Sequence, residues 1–182
     1  MRRAVSESNS TSNTSNGPVV VGVDGSPTSL AALDFAFEEA QRRNTGLLVV
    51  TAFDLPEVWS LTYGLPVSCT VEEVQQSMLQ NTRRVVTEAL GGRTTTGGAP
   101  DVGIVAQGGS AARVLISAAA AVGSPLLVVG SRGRGGFKRM LLGSVSLSCV
   151  LHACCPVTVV RSGADQDRVE TSDLSGFPAA IL

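Results

Sequence analysis

The stretch Gly130-Ser131-Arg132-Gly133-Arg134-Gly135-Gly136 is where residue types and spacing first suggest chemistry, with glycine at four of its seven positions. Glycine admits positive φ and lets a ligand come close to the main chain. Successive bare amides in such a turn form an anion-binding concavity. Arg132, Arg134, Lys138 and Arg139 add four positive charges within eight residues, with no acid among them. Beyond them, Gly143-Ser144 opens a short helical stretch. A helix N-terminus presents unpaired N–H groups and the positive end of the helix dipole, and Ser144 adds a hydroxyl. This chemistry suits phosphate. Each donor to a charged phosphate contributes about 1.5–3 kcal/mol net, so a handful would hold a polyphosphate without catalytic apparatus. A plain turn, followed by a helix with Ser144 as its N-cap, accounts for the same residues. The stretch is neither a Walker A loop, which needs Gly-Lys-Ser/Thr, nor a Gly-x-Gly-x-x-Gly fingerprint, because 133–138 ends in Lys138.

Other reactive side chains are sparse. His152 is the single histidine and lies three residues from Cys149, but no third or fourth ligand has suitable spacing, so no metal site is expected. A local hydrogen bond is the ordinary role for His152. Cys69, Cys149, Cys154 and Cys155 contain no Cys-x-x-Cys, and they read as reduced thiols of a cytoplasmic protein. At least one of Cys154 and Cys155 should be buried. No nucleophile elbow is visible, and no acid in the glycine stretch could orient an attacking water. No catalytic residue is assigned.

The elements that must position these groups follow from hydrophobic patterning. Val19-Val20-Val21, Leu47-Leu48-Val49-Val50, Leu126-Leu127-Val128-Val129 and Val157-Thr158-Val159-Val160 are continuous apolar runs, with a weaker one from Val102 to Ala106. Such runs suit parallel strands covered on both faces. Helical periodicity lies between them. Leu30, Leu33, Phe37 and Ala40 share a face in 29–43, and Val74, Met78, Val85 and Ala89 share one in 70–90. The latter opens on Thr70-Val71-Glu72-Glu73, a capping-box pattern. Val114, Leu115, Ala118 and Val122 follow in 111–122, and a short helix spans 145–153. The alternation predicts a three-layer, doubly wound, Rossmann-like α/β fold with five mostly parallel strands and helices on both faces. Ligands of such sheets bind beyond the carboxyl ends of the strands, where strand order reverses. The turns to inspect are therefore Gly22-Val23-Asp24-Gly25-Ser26-Pro27, Ala52-Phe53-Asp54 and the glycine stretch. The first is also an ordinary turn, with Ser26 or Thr28 capping the next helix.

The 182 residues are 43% hydrophobic and 16% charged, with a net charge of −1. That excludes a disordered chain and gives no basic excess for nucleic acid. No apolar run approaches the ~18 residues of a membrane span. Residues 6–16 are almost entirely Ser, Thr and Asn, so 1–17 is expected to be a disordered tail. Residues 162–182, with Asp165, Asp167, Glu170 and Asp173 against Arg168, are expected to be a flexible acidic tail. Trp59 and Tyr63 lie in a Pro/Gly-containing stretch, 54–69, that suits either a lid or a surface loop.

Gly130-x2-Gly133-x9-Gly143-Ser144 resembles the Gly-x2-Gly-x9-Gly-Ser/Thr motif of the ATP-binding universal stress proteins. Val128-Val129-Gly130-Ser131-Arg132-Gly133, His152-Ala153-Cys154-Cys155-Pro156-Val157 and Val20-Val21-Gly22-Val23-Asp24-Gly25-Ser26 are similar to the family's flanking segments. The resemblance covers 18–161 and implies a nucleotide-binding domain there, with strand order 3-2-1-4-5. It implies ATP or another adenine nucleotide as ligand. Asp24 would sit by the adenosine, with Gly22, Val23 and Ala52 lining the base. Val129, Gly130 and Gly133 would wrap the ribose and inner phosphates, in a loop that includes Ser131, Arg132, Arg134 and Gly135. Gly143, Ser144 and Val145 would hold the outer phosphates. The implied function is regulatory stress-response binding with at most slow ATP hydrolysis. Any Mg²⁺ would be held mainly by phosphates and water. An interaction module of the same fold that works without nucleotide is the alternative. Residues 157–161 would pair two copies into a homodimer, because an apolar edge left open is a liability.

Overall fold

The apolar runs become β1 (Val19–Gly22), β2 (Leu47–Phe53), β3 (Val102–Gly108), β4 (Leu127–Gly130) and β5 (Val157–Val160). They form one parallel sheet of order β3-β2-β1-β4-β5. The computed structural model describes residues 17–54, 70–95, 97–133 and 142–162. The readings for the two tails, for Trp59 and Tyr63, and for Arg134, Gly135, Gly136, Lys138 and Arg139 fall outside these residues.

Strand side chains alternate between two cores. Val19, Val21, Leu47, Val49 and Val128 face α1 (Pro27–Arg42) and α2 (Val71–Leu90). Val20, Val50, Leu127 and Val129 face α3 (Ala111–Ala121) and α4 (Ser144–His152). The sheet is thus the middle of three layers. Each fully buried Val, Leu or Phe contributes about 1.5–3 kcal/mol, which is why these runs decide the fold.

The helices start where the chain chemistry says they should. Ser26 caps α1 by accepting from Ser29 N at 3.3 Å, and Pro27 takes the first position, where a missing N–H costs nothing. Thr70 and Glu73 close a full capping box, at 3.2 Å and 2.8 Å. α1 buries Ala32, Leu33, Ala36, Phe37 and Ala40. α2 turns a different face inward from the one the sequence suggested. Thr82, Val86 and Leu90 are buried, Ala89 is exposed, and Met78 is only half-buried. The polar Thr82 occupies a core position and shifts the apparent phase of the stripe.

β3 and β5 are the two edges. At β3, Gly109 N–H bonds back to Phe53 O at 2.9 Å, so alternate residues such as Ala106 turn their peptide groups outward. Gln75 of α2 donates to that Ala106 carbonyl at 2.9 Å. β5 is half-buried along its length, and beside it α4 exposes Leu147, Val150 and Leu151. Among the described residues, no helix is long and apolar enough to cross a membrane.

The thiols are placed differently from expectation. Cys154 is exposed and Cys155 is half-buried, because they lie in the turn before an edge strand with no layer outside it. Among the described cysteines, Cys149 on α4 is the fully buried one, and Cys69 lies outside the described residues. Burial, reinforced by the neighbouring Cys155 thiol, pushes the Cys149 thiol up from its ordinary 9.0 to about 11. The folded state therefore holds the proton more tightly than the unfolded state. Stability from this group is fully present below pH 9 and falls as pH rises towards 11. The urea midpoint of the protein should decline over that interval more steeply than that of Cys149→Ala, which starts lower but lacks this titration.

Candidate functional site

β1 and β4 are neighbours, with Val20 opposite Leu127 and Val21 opposite Val128. Their onward connections diverge to opposite faces of the sheet, and a cavity of about 450 Å³ opens beyond their ends. Of the positions singled out in the sequence, Gly22, Val23, Asp24, Ala52, Val129, Gly130, Arg132, Gly133, Gly143, Ser144 and Val145 line it. Ser131 does not. It is buried, its N–H donates to Val160 O at 2.7 Å, and its carbonyl accepts from Gly143 N at 2.7 Å. Ser131 thus ties β4 to β5 and to the start of α4. Arg134 and Gly135 lie outside the described residues. The cavity also takes Ser29, Val50, Ala111, Leu115 and Ser146. Val50 ends an apolar run already recognised as a strand. Ala111 and Leu115 arrive because α3 crosses back over the sheet, which no local pattern announces.

The β1 exit is a rigid polar turn. Asp24 Oδ1 accepts from Ser26 N at 2.9 Å and from the Ser26 hydroxyl at 2.6 Å. Ser29 Oγ receives Gly25 N at 3.1 Å and donates to Ser26 O at 2.9 Å. Gly25 has φ 82°, the left-handed region that glycine enters without strain. The other carboxylate oxygen of Asp24 faces the glycine loop, and a Cβ on Gly133 would lie 2.7 Å from it. Below the turn, Thr51 donates to Val23 O at 2.8 Å, and Thr82 of α2 reaches Thr51 Oγ1 at 3.0 Å. This buried pair fixes the Val23 carbonyl from beneath.

Gly130 is required by packing. A Cβ there would stand 2.8 Å from Thr28 C and 2.9 Å from Ser29 N, both main-chain atoms at the start of α1.

The opposite wall is made of helix starts. Gly143, not Ser144, is the N-cap of α4. Ser144 is the first helical residue, and no side chain caps this end. The extended backbone of Gly143, φ −71° and ψ 156°, moves the cap one residue earlier than the sequence suggested. Ser110 at the start of α3 likewise makes no side-chain cap bond, and Ala111 borders the same cavity. Two helix N-termini thus bring uncapped amides to the cavity, where an anion is stabilised. Arg132 adds a guanidinium, and Asp24 is the only carboxylate among the described lining residues. Those residues include neither His nor Cys. Among the described residues, no group of three His, Cys, Asp or Glu could hold a metal ion. His152 points elsewhere, with Nδ1 donating to Ser148 O at 2.9 Å. The arrangement can bind a molecule with an apolar, polar-edged half and an anionic half.

Comparison with known proteins gives a consistent picture. The model of the universal stress protein family matches residues 16–161. A universal stress protein of Mycobacterium tuberculosis is 42% identical over 149 residues, which is 80% of this chain and 46% of the relative. One from Mycolicibacterium smegmatis is 36% identical over 148 residues, 79% of this chain and 45% of the relative. The chain therefore spans about half the length of the curated relatives it matches. Among solved structures, a universal stress protein in complex with cAMP is 27% identical, with TM-score 0.55, over 82% of this chain and 99% of that one. A family protein from Burkholderia pseudomallei is 25% identical, with TM-score 0.55, over 80% and 96%.

The glycine geometry predicts an order of stability. Gly130→Ala pushes against main chain that cannot retreat, a clash of about 1–3 kcal/mol. Gly143→Ala meets Ser131 O at 3.3 Å and Arg132 Cα at 3.4 Å, and should lose distinctly less. Denaturant midpoints of the two variants read this order directly.

Proposed function

Because the chain belongs to the universal stress protein family, we propose that it is a regulatory protein that binds ATP or another adenine nucleotide and is not a fast enzyme. One observation carries the reading: the exits of β1 and β4 and two uncapped helix starts converge on one cavity of about 450 Å³, with Asp24 and Arg132 among its lining residues. Similarity to a universal stress protein solved with cAMP supports an adenine nucleotide as the class of ligand.

In this reading Asp24, Gly22, Val23 and Ala52 hold the adenosine half. Val129, Gly130 and Gly133 wrap the ribose and inner phosphates, with Arg132, Arg134 and Gly135 as further residues of the same site. The first-turn amides of Ser144 and Val145, after Gly143, hold the outer phosphates. Mg²⁺ accompanies the phosphates and is held by them and by water. In this reading Asp24 serves the adenosine half, and its Oδ1 is taken by two hydrogen bonds from Ser26, so no carboxylate among the described lining residues stands at the outer phosphates to orient an attacking water. Turnover of ATP should stay below ~1 s⁻¹, the low end of ordinary enzymes. Free Cys149, Cys154 and Cys155 suit a reducing cytoplasmic setting.

The partner in this reading is a second copy. β5 presents an edge of Val157, Thr158, Val159 and Val160, and the preceding helix α4 exposes Leu147, Val150 and Leu151. Pairing two β5 strands about a twofold axis would cover both.

Calorimetric titration of ATP checks the ligand. Gly133→Ala leaves the fold but drives a methyl into the Asp24 carboxylate, so its affinity should fall at least about tenfold, roughly the worth of one charged hydrogen bond. Equal binding by both proteins would overturn the assignment of the site to the Gly133 loop, and binding by neither would leave the nucleotide-independent interaction module as the better reading. Light scattering at micromolar concentration should give the mass of a dimer, and a monomer mass ends the β5 pairing.

A further inference from the structure

Three successive carbonyls at the end of β4 are held inward by three different donors. Gly130 O accepts from the Ser146 hydroxyl at 2.6 Å, and Ser131 O accepts from Gly143 N at 2.7 Å. Arg132 O accepts from the Thr28 hydroxyl. Ser146 and Gly143 come from the α4 face of the sheet and Thr28 from the α1 face, so the loop is gripped from both sides.

The Thr28 contact has a directional consequence. A trans peptide is planar, and its C=O and N–H point opposite ways. The Arg132 carbonyl shares its peptide with the N–H of Gly133. Holding that carbonyl against α1 turns the Gly133 N–H away from α1, and Gly133 is one of the residues that line the cavity. Nothing in the local sequence would otherwise fix this orientation. Rotating the 132–133 peptide changes φ at residue 133, and glycine accepts either sign of φ at little cost. Thr28 is suited to the task. It is buried, at 7% exposure. The nearby Ser26 hydroxyl, 3.3 Å away, donates its own proton to Asp24 at 2.6 Å. Ser26 Oγ also accepts from Ser29 N at 3.3 Å, and the closer acceptor, Arg132 O, takes the single Thr28 proton.

We propose that Thr28 is a positioning residue for anion binding: its hydroxyl sets the Arg132–Gly133 peptide so that the cavity offers a phosphate the Gly133 N–H and not the Arg132 carbonyl. The inference rests on the nucleotide reading above and assigns a role to a side chain outside the cavity lining.

Thr28→Val keeps the shape and removes the hydroxyl, whereas Thr28→Ser keeps the hydroxyl. Titration with ATP and with adenosine, alongside urea midpoints, separates positioning from folding. Thr28→Val should bind ATP about tenfold more weakly while adenosine affinity stays within about twofold, and Thr28→Ser should restore ATP binding. In the unaltered protein, the Gly133 amide resonance should move on addition of ATP and stay in place with adenosine, a readout independent of how any variant folds. Unchanged ATP affinity in Thr28→Val, parallel loss of both ligands, or an equal response of Gly133 to both would overturn the inference while leaving nucleotide binding intact. A wild-type protein that binds no ATP would overturn the nucleotide reading, and this inference with it.

Discussion

The start of α1 can lie on the end of β4 only because residue 130 carries no side chain. A Cβ there would stand within 3 Å of main-chain atoms of Thr28 and Ser29. Everything at the cavity follows from that approach. It brings the Thr28 hydroxyl to the Arg132 carbonyl and the Asp24 carboxylate to the Cα of Gly133. It also sets the width between the β1 and β4 exits, where the chain diverges to opposite faces. The cavity is thus less a hole in the packing than the space left by two connections forced to part.

The cavity wall is largely apolar, and much of the polar character it offers a ligand comes from main chain. The first-turn amides of two helices and the bends after β1 and β4 face it, with Arg132 and Asp24 as the charged side chains among the described lining residues. The local excess of donors arises from geometry, so it coexists with a net charge of −1 for the chain. A main-chain site depends on the course of the backbone more than on side-chain identity. That agrees with shared architecture persisting at 27% identity to a solved relative.

Much of this was legible in the sequence because it is written locally. Continuous Val and Leu runs mark buried parallel strands, Thr70 to Glu73 marks a capping box, and Gly143-Ser144 marks the start of a helix. What stayed hidden depends on residues brought together from afar. Thr28 and Arg132 are 104 positions apart, and Thr51 and Thr82 are 31 apart. Leu115 reaches the cavity only because α3 crosses back over the sheet. The stripe of α2 was read out of phase because Thr82, polar and buried, satisfies its hydroxyl with Thr51 and with Met78 O at 2.8 Å. The expected burial of at least one of Cys154 and Cys155 fails because both lie in a turn before an edge strand.

The two margins of the sheet are treated differently, and this bears on growth. Gln75 occupies an outward carbonyl of β3 with its own amide, which spoils the even ladder that an incoming strand would need. A parallel sheet with both margins open is a template for endless addition. With one margin blunted, association through the other has a natural stopping point: the second molecule presents only its own blunted side, and the assembly closes instead of lengthening into a fibre.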